Sequence, residues 1–330
     1  MRVLISGGTG FIGGWTAKAI ADAGHQVRFL VRDPARLTDG AGALGVDTSD
    51  YSVGDITDRE AVARALKGCD AVVHSAAVVA LDPGQAEEMI ETNLAGARNV
   101  LGQAVDLGLD PIVYVSSNAA IFQRHLAQYH ADLPVVGGTD AYGRSKARVE
   151  VYARGLQAMG APVTITYPCM VIGPPAGHQF GEGAQGVEGV LNIGVVPGRK
   201  AAWTMIDVRD LGAAHAALLE PGHGPRRYML GVHHLKLREV ADLMRAASGR
   251  KVRVVPVPDG LLRGTGRVAD RLRRFLPASA DQFTEAGMQY YTEFPPADTA
   301  PAERDLGLTF RPASETIRAT VEGLRTVGRG

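Results

Sequence analysis

Cysteine is nearly missing from this chain of 330 residues: Cys69 and Cys169 are its two. Two cysteines build no disulfide framework, so the sequence predicts a reducing, cytoplasmic setting. An excess of one charge is missing too. The 35 basic and 35 acidic residues cancel, so no sequence-wide field draws the chain to nucleic acid or to an anionic membrane. No uninterrupted apolar run approaches the roughly 20 residues that span a bilayer. The opening MRVLIS lacks the basic segment and long apolar core of a signal peptide. Internal repeats and low-complexity linkers are absent as well. What is present, 45% hydrophobic and 21% charged residues, suits a globular core. At roughly 100–200 residues per domain, the length allows one large domain or two unequal lobes.

The first half alternates short apolar runs with helical patterns. RVLIS (2–6), QVRFLVR (26–32), DAVVHSA (70–76), PIVYVSS (111–117) and PVTITYP (162–168) are nearly continuous in apolar residues, as parallel strands covered on both faces should be. The segments between them have helical spacing, and several end at a glycine suited to a left-handed cap. Such alternation predicts an α/β fold with a doubly wound parallel sheet. The second half is less regular. Residues 173–200 are glycine-rich and read as a mobile loop with at most one helix. WTMIDVRDLGAAHAALLE (203–220) returns to strand and helix. KLREVADLMRAASG, KVRVVPVP and SETIRATVEGLRTVG suggest a smaller C-terminal α+β lobe. The expected division assigns 1–168 and 201–231 to a nucleotide-binding domain, and 169–200 and 232–330 to a substrate lobe.

LISGGTGFIGG follows the first strand and opens a helix. Gly8, Gly10 and Gly13 satisfy G-x-G-x-x-G, and Gly7, Gly10 and Gly13 give a second frame. Glycine permits the tight turn, the approach of backbone to a pyrophosphate and close helix–strand packing. The helix N-terminus offers free N–H groups to phosphates. Gly7, Thr9, Gly10, Phe11, Ile12 and Gly13 are therefore the candidate phosphate-side residues. At the end of the second strand an acid would select the ribose of NAD and an arginine the 2′-phosphate of NADP. Val31 stands where the acid is often found and Arg32 follows, which favours NADP(H) and leaves NAD(H) open. In the alternative, Arg32 is solvated and Asp33 takes the ribose. Asp55 is a candidate for the adenine amino group with Ile56 on the ring, and Asp58 reads as a helix N-cap. Ala76 and Ala77 are small enough for the cofactor to lie close. His74 reads as a packed structural histidine.

AYGRSKARVE places Tyr142 and Lys146 at i and i+4, on one side of a helix. A tyrosine is a poor acid–base group at neutral pH, because its free pKa is about 10. An ammonium one turn away stabilises the phenolate, so the pair suits proton exchange with a carbonyl or alcohol oxygen.

Taken in order, GGTGFIGG, GDITD, HSAA, NLAGARNV, YVSSNAAIF, YGRSK, YPCMVIGP and MIDVRDLGAAH resemble the extended short-chain dehydrogenase/reductases, in the branch of dihydroflavonol reductases, 3β-hydroxysteroid dehydrogenases and related epimerases. The resemblance spans about residues 1–220 and touches the last segment, ERDLGLTFRPASETIRAT. It implies a Rossmann fold, a Ser/Thr–Tyr–Lys site and a divergent substrate lobe. By position Tyr142 is the acid–base residue and Lys146 its partner. Pro168 and Val171 lie beside the nicotinamide, Ser116 lies on the cofactor side, and Asn93 either supports the lysine through water or is a plain helix-surface asparagine. The residue that bonds the substrate oxygen falls on Asn118, where the family has Ser or Thr, so either Asn118 keeps the role with an amide donor or Ser117 takes it. Val78, Val79, Ala80, Leu81, Ile121, Phe122 and Met170 fall at substrate-bordering positions, or are plain core.

These readings predict a carbonyl–alcohol oxidoreductase acting on a small, apolar molecule. An NAD-retaining epimerase or dehydratase on a sugar-like substrate, and a non-catalytic NADP-sensing module, are the alternatives. No metal, nucleic-acid partner or stable membrane insertion is expected, and the expected assembly, if any, is a homodimer. GRVADRLRRFLP (266–277) reads as a solvated basic amphipathic face.

Overall fold

A computed structural model describes residues 1–79, 83–138, 140–272 and 284–328. The elements run β1 (Arg2–Ser6), α1 (Phe11–Asp22), β2 (Gln26–Val31), α2 (Ala35–Asp39), β3 (Tyr51–Val53), α3 (Arg59–Leu66), β4 (Ala71–His74), α4 (Ala86–Ala97), α5 (Gln103–Asp106) and β5 (Ile112–Val115). Then come α6 (Ala141–Ala158), β6 (Val163–Pro168), β7 (Met170–Ile172), α7 (Glu182–Ile193), β8 (Val195–Pro197), β9 (Ala202–Asp207), α8 (Val208–Ala217) and β10 (Arg226–Leu230). The chain closes with β11 (His233–Lys236), α9 (Leu237–Ser248), β12 (Arg253–Val255), α10 (Asp259–Leu272), α11 (Glu285–Thr292), α12 (Ala300–Leu306) and α13 (Ala313–Thr326).

Seven parallel strands form the main sheet in the order β3-β2-β1-β4-β5-β6-β10. This is the Rossmann arrangement, with the chain reversing direction between β1 and β4. The near-continuous apolar runs have the cause expected of them. β4, β5 and β6 are buried at every residue, because helices cover both faces. One core packs α3, α4 and α6 against the sheet through Val62, Ala97 and Val149. The other packs α1 and α8 through Ile20 and Leu211. Helix starts are set locally: the Asp58, Asp140 and Asp207 carboxylates accept N–H bonds at the heads of α3, α6 and α8.

The second half departs from expectation in two ways. Residues 173–200 hold the one helix that the sequence allows, of twelve residues, but add a strand, and the turn before the helix is tied down. The Trp15 indole donates to Pro174 O at 2.9 Å, and His178 Nδ1 lies 2.6 Å from Asp39 Oδ1. β9 joins β7 and β11 in a separate three-stranded sheet, over a third core that includes Trp203, Leu237 and Ile317. α8 then returns to pack on α1, so residues 201–231 serve both lobes. Residues 293–311 cross back to the large sheet. Tyr129 N donates to Pro296 O, Asp298 N donates to Tyr129 O, both at 2.8 Å, and Arg311 pairs with Asp210. Of the expected amphipathic face, residues up to 272 lie on α10, where Val268 is exposed. Residues 273–277, like Ala80 and Leu81, lie outside the described residues.

Candidate active site

The glycine turn is the tightest part of the molecule. Gly7 has φ +89°, and a Cβ there would fall 2.8 Å from Ala76 N. A Cβ at Gly13 would fall 2.1 Å from Gly7 O, and Gly10 N donates to Gly7 O at 3.0 Å. The working frame is therefore Gly7, Gly10 and Gly13. Gly8 instead gives room to the Phe29 ring. α1 starts after Gly10 with no side chain capping its first turn, so bare N–H groups point out of the carboxyl edge of the sheet. Thr9 and Ile12 are half-buried on this turn, Phe11 is buried, and Ala76 and Ala77 face it from the end of β4. A cradle that any Cβ would fill, ending in free amides, fits the pyrophosphate of a dinucleotide.

At the end of β2 the Arg32 side chain is exposed, and its Nη1 lies 3.8 Å from Asp55 Oδ2. The structure thus brings together the two side chains expected around the adenosine. Asp55 is steadied by the Thr57 amide and hydroxyl, at 2.9 and 2.8 Å. Asp33, the alternative ribose ligand, caps the following turn by accepting from Ala35 N. Ile56 nests its side chain against Gly96 of α4 and stays half-buried.

Tyr142 and Lys146 lie on the first two turns of α6, and the Lys146 ammonium sits 5.9 Å from the Tyr142 ring centroid. Lys146 is buried, donates to Val115 O at 3.2 Å and lies 5.8 Å from the Tyr114 ring. Burial lowers its pKa to about 8, with Glu150 pulling the other way. Burial raises the Tyr142 phenol well above the usual tyrosine value. Glu182, on the first turn of α7, adds to that rise, and a hydrogen bond from Ser117 offsets part of it. The phenol is therefore firmly protonated before anything binds, the opposite of the lysine-lowered value expected from the pair alone. Ser117 also accepts from Ala119 N at 3.1 Å. Asn118 is buried and lies against the Tyr129 hydroxyl, which finds no full hydrogen-bond partner in the protein. Of the two adjacent residues, Ser117 is the one turned to Tyr142.

Other expectations resolve differently. Ser116, expected on the cofactor side, turns its hydroxyl inward to Glu150 Oε2 at 2.8 Å, because that buried carboxylate needs donors. Asn93 is buried rather than on the helix surface. Its amide clamps the Val78 main chain in both directions, at 2.7 and 2.9 Å, and reaches Ser145 Oγ at 2.9 Å. Between it and Lys146 lies a cavity of about 10 Å³, lined also by His74, Tyr114 and Ser145. One water is about what such a space holds. His74 is the packed histidine expected: it bonds Ser6 Oγ at 2.7 Å, and burial lowers its pKa to about 3. Ile121 and Phe122 are core residues, whereas Val78 and Val79 are exposed. Pro168 closes β6, and Met170 and Val171 are half-buried on β7. Glu150, which receives bonds from three side chains, went unnoticed in the sequence, although its i+4 spacing from Lys146 was there to be read.

A Rossmann sheet whose glycine turn opens beside a Ser–Tyr–Lys cluster defines a nicotinamide-nucleotide-dependent enzyme. The chain belongs to the NAD-dependent epimerase/dehydratase family, whose model matches residues 3–231. It is 27% identical to sterol demethylase protein B of Methylococcus capsulatus over 319 residues, 93% of each chain. It is 25% identical to cinnamoyl-CoA reductase 2 of Arabidopsis thaliana over 258 residues, covering 73% of this chain and 76% of that one. Among solved structures, the UDP-glucose 4-epimerase of Stenotrophomonas maltophila, with bound NAD and formylated UDP-arabinopyranose, has the same fold. Its TM-score is 0.77 at 21% identity, covering 100% of this chain and 99% of that one.

Proposed function

We propose that the chain is an NADP(H)-dependent carbonyl reductase, working in reverse as an alcohol dehydrogenase, on a small apolar substrate. The observation that carries the reading is the meeting of Tyr142, Ser117 and Lys146 at the strand edge onto which the glycine turn opens. The nicotinamide, when bound, supplies or accepts the hydride. Tyr142 holds its proton on Oη and passes it to the substrate oxygen as negative charge develops there. Ser117 Oγ accepts from the Ala119 amide and lies 3.5 Å from Asn118 Oδ1, and with substrate bound its hydrogen turns from that long contact to the same oxygen. Lys146 stabilises the phenolate that remains. A tyrosine protonated at rest suits reduction, where the acid acts first. The exposed Val78 and Val79 offer an apolar border. Arg32, exposed and beside Asp55, suits a 2′-phosphate.

Turnover of a panel of aldehydes and ketones with NADPH and NADH tests the reading. NADPH is the expected preferred cofactor, and Arg32→Ala should weaken NADPH, not NADH, by roughly 1.5–3 kcal/mol, the scale of a charged hydrogen bond. Tyr142→Phe should bind NADPH and turn over nothing. Near-normal turnover by that variant overturns the chemistry, and equal NADPH and NADH affinities in the wild type overturn the cofactor assignment.

A further inference from the structure

Glu150 sits one helical turn beyond Lys146 on α6 and is fully buried. Its carboxylate receives Ser116 Oγ at 2.8 Å, Arg154 Nε at 2.8 Å and the Tyr167 hydroxyl at 2.5 Å. Arg154 in turn donates to the Leu133 and Ala131 carbonyls at 2.9 and 3.3 Å, and to Tyr167 Oη at 2.9 Å. A carboxylate wholly out of water is costly unless it is paired and hydrogen-bonded, and this one is. We infer that Glu150 is a positioning residue of the catalytic site: its fixed negative charge, locked by Ser116, Arg154 and Tyr167, keeps the buried Lys146 ammonium charged and aimed at Tyr142.

The surroundings leave few other candidates for that role. Lys146 faces His74 from β4, Tyr114 from β5, and Tyr142 and Glu150 from its own helix. His74 is neutral above about pH 3, and burial keeps Tyr114 and Tyr142 protonated. Glu150 faces Lys146 and Arg154 on α6, Tyr114 and Ser116 from β5, and Tyr167 from β6. Among these groups Glu150 is the one anion. Arg154 is one turn farther from Lys146 and so offsets the anion only in part.

The inference rests on the reading of Lys146 as the partner of Tyr142, but its test needs no substrate. The chain has six lysines, Lys18, Lys67, Lys146, Lys200, Lys236 and Lys251. Their Cε signals can be titrated by NMR in protein made with 13C-labelled lysine, with Lys146 assigned by its loss in Lys146→Arg. The wild-type midpoint is expected near about 8. Glu150→Gln keeps the shape and should lower the midpoint by about one unit or more, the size expected of a nearby charge in a buried site. Tyr167→Phe removes a hydrogen bond and no charge, so it should reduce stability and leave the midpoint in place. If Glu150→Gln does not fold, Glu150→Gln with Arg154→Met leaves no unpaired buried charge, and the midpoint must still fall. An unchanged midpoint in either folded variant overturns the inference and leaves Glu150 a structural residue. A lowered midpoint in an enzyme that turns over no carbonyl would support the coupling and instead defeat the reductase reading.

Discussion

The half that carries the glycine turn and the smaller lobe around the third core are held together by different kinds of information. In the first, the glycine turn, the helix caps and the Tyr142–Lys146 pair each follow from a signal a few residues long. A glycine every third residue makes the turn, aspartates start α3, α6 and α8, and a tyrosine stands four residues before a lysine. In the second, the decisive contacts join residues far apart in sequence. β9 pairs with β7 and β11, and α9 packs against α13 across the third core. A local signal has one way to be satisfied. A distant pairing has many, and only packing selects among them.

The sharpest way to test this contrast is to make one chemical change in both regions. Gly13→Ala pushes a Cβ to 2.1 Å from Gly7 O. It should cost about 3 kcal/mol or more, the upper range for overpacking, and abolish dinucleotide binding. Gly186→Ala, inside α7 where a Cβ meets nothing within 4 Å, should instead stabilise by about 0.5–1 kcal/mol through helix propensity. Urea unfolding and NADPH titration of the two variants check both signs, and a harmless Gly13→Ala would break the contrast.

A smaller effect separates neighbours within the nucleotide half. Ser117→Ala should lower kcat by about 10²–10³, the scale for losing one donor to a developing oxyanion. Asn118→Ala, whose amide lies against Tyr129, should affect stability more than kcat. Steady-state kinetics alongside melting temperatures decide it, and the inverse pattern returns the role to Asn118.

Acid should strike one half first. His74 and His215 are both fully buried, with pKa values lowered by burial to about 3. His215 bridges Thr16 and Thr166, and His74 bonds Ser6. Each favours folding fully above the unfolded value of about 6.5, and that contribution is lost as pH falls toward 3, because only the unfolded chain takes up the proton. At pH 5 each loses about 2 kcal/mol. Hydrogen exchange between pH 7 and pH 5 should therefore quicken in β1, β4 and β6 before α9. Equal acceleration in both halves would contradict the assignment.

Much of the fold was legible. β1, β2 and β6 fall within a residue of their apolar runs, and α1, α3 and α6 fall in the helically spaced segments between those runs. The doubly wound sheet and the family followed from these and from the glycine turn. Part of the candidate site was legible too, because Tyr142 and Lys146 share one helix face by arithmetic alone. The choice between Ser117 and Asn118 was not, since both follow the same strand and only the turn at Ala119 aims one of them at Tyr142. Nor was the inward turn of Ser116, which depends on a carboxylate 34 residues away. Residues 173–200 read as a loop with at most one helix because glycine weakens helix propensity. They form α7 because Ala184, Val187 and Leu191 find a buried face.

The return of residues 293–311 to the large sheet has a consequence for how the protein comes into being. Glu293 pairs with Arg124, the Pro296–Asp298 stretch zips onto Tyr129, and Asp305 and Arg311 fasten to Tyr228 and Asp210. A ribosome delivers these residues long after β1 to β6, so the sheet can assemble early while the floor behind Tyr129 and the outer side of β10 stay open. The chain from β7 to α11 must be made before the large sheet is sealed. α13, which completes the third core, follows the lacing in the chain, so the smaller lobe closes after the large sheet is laced.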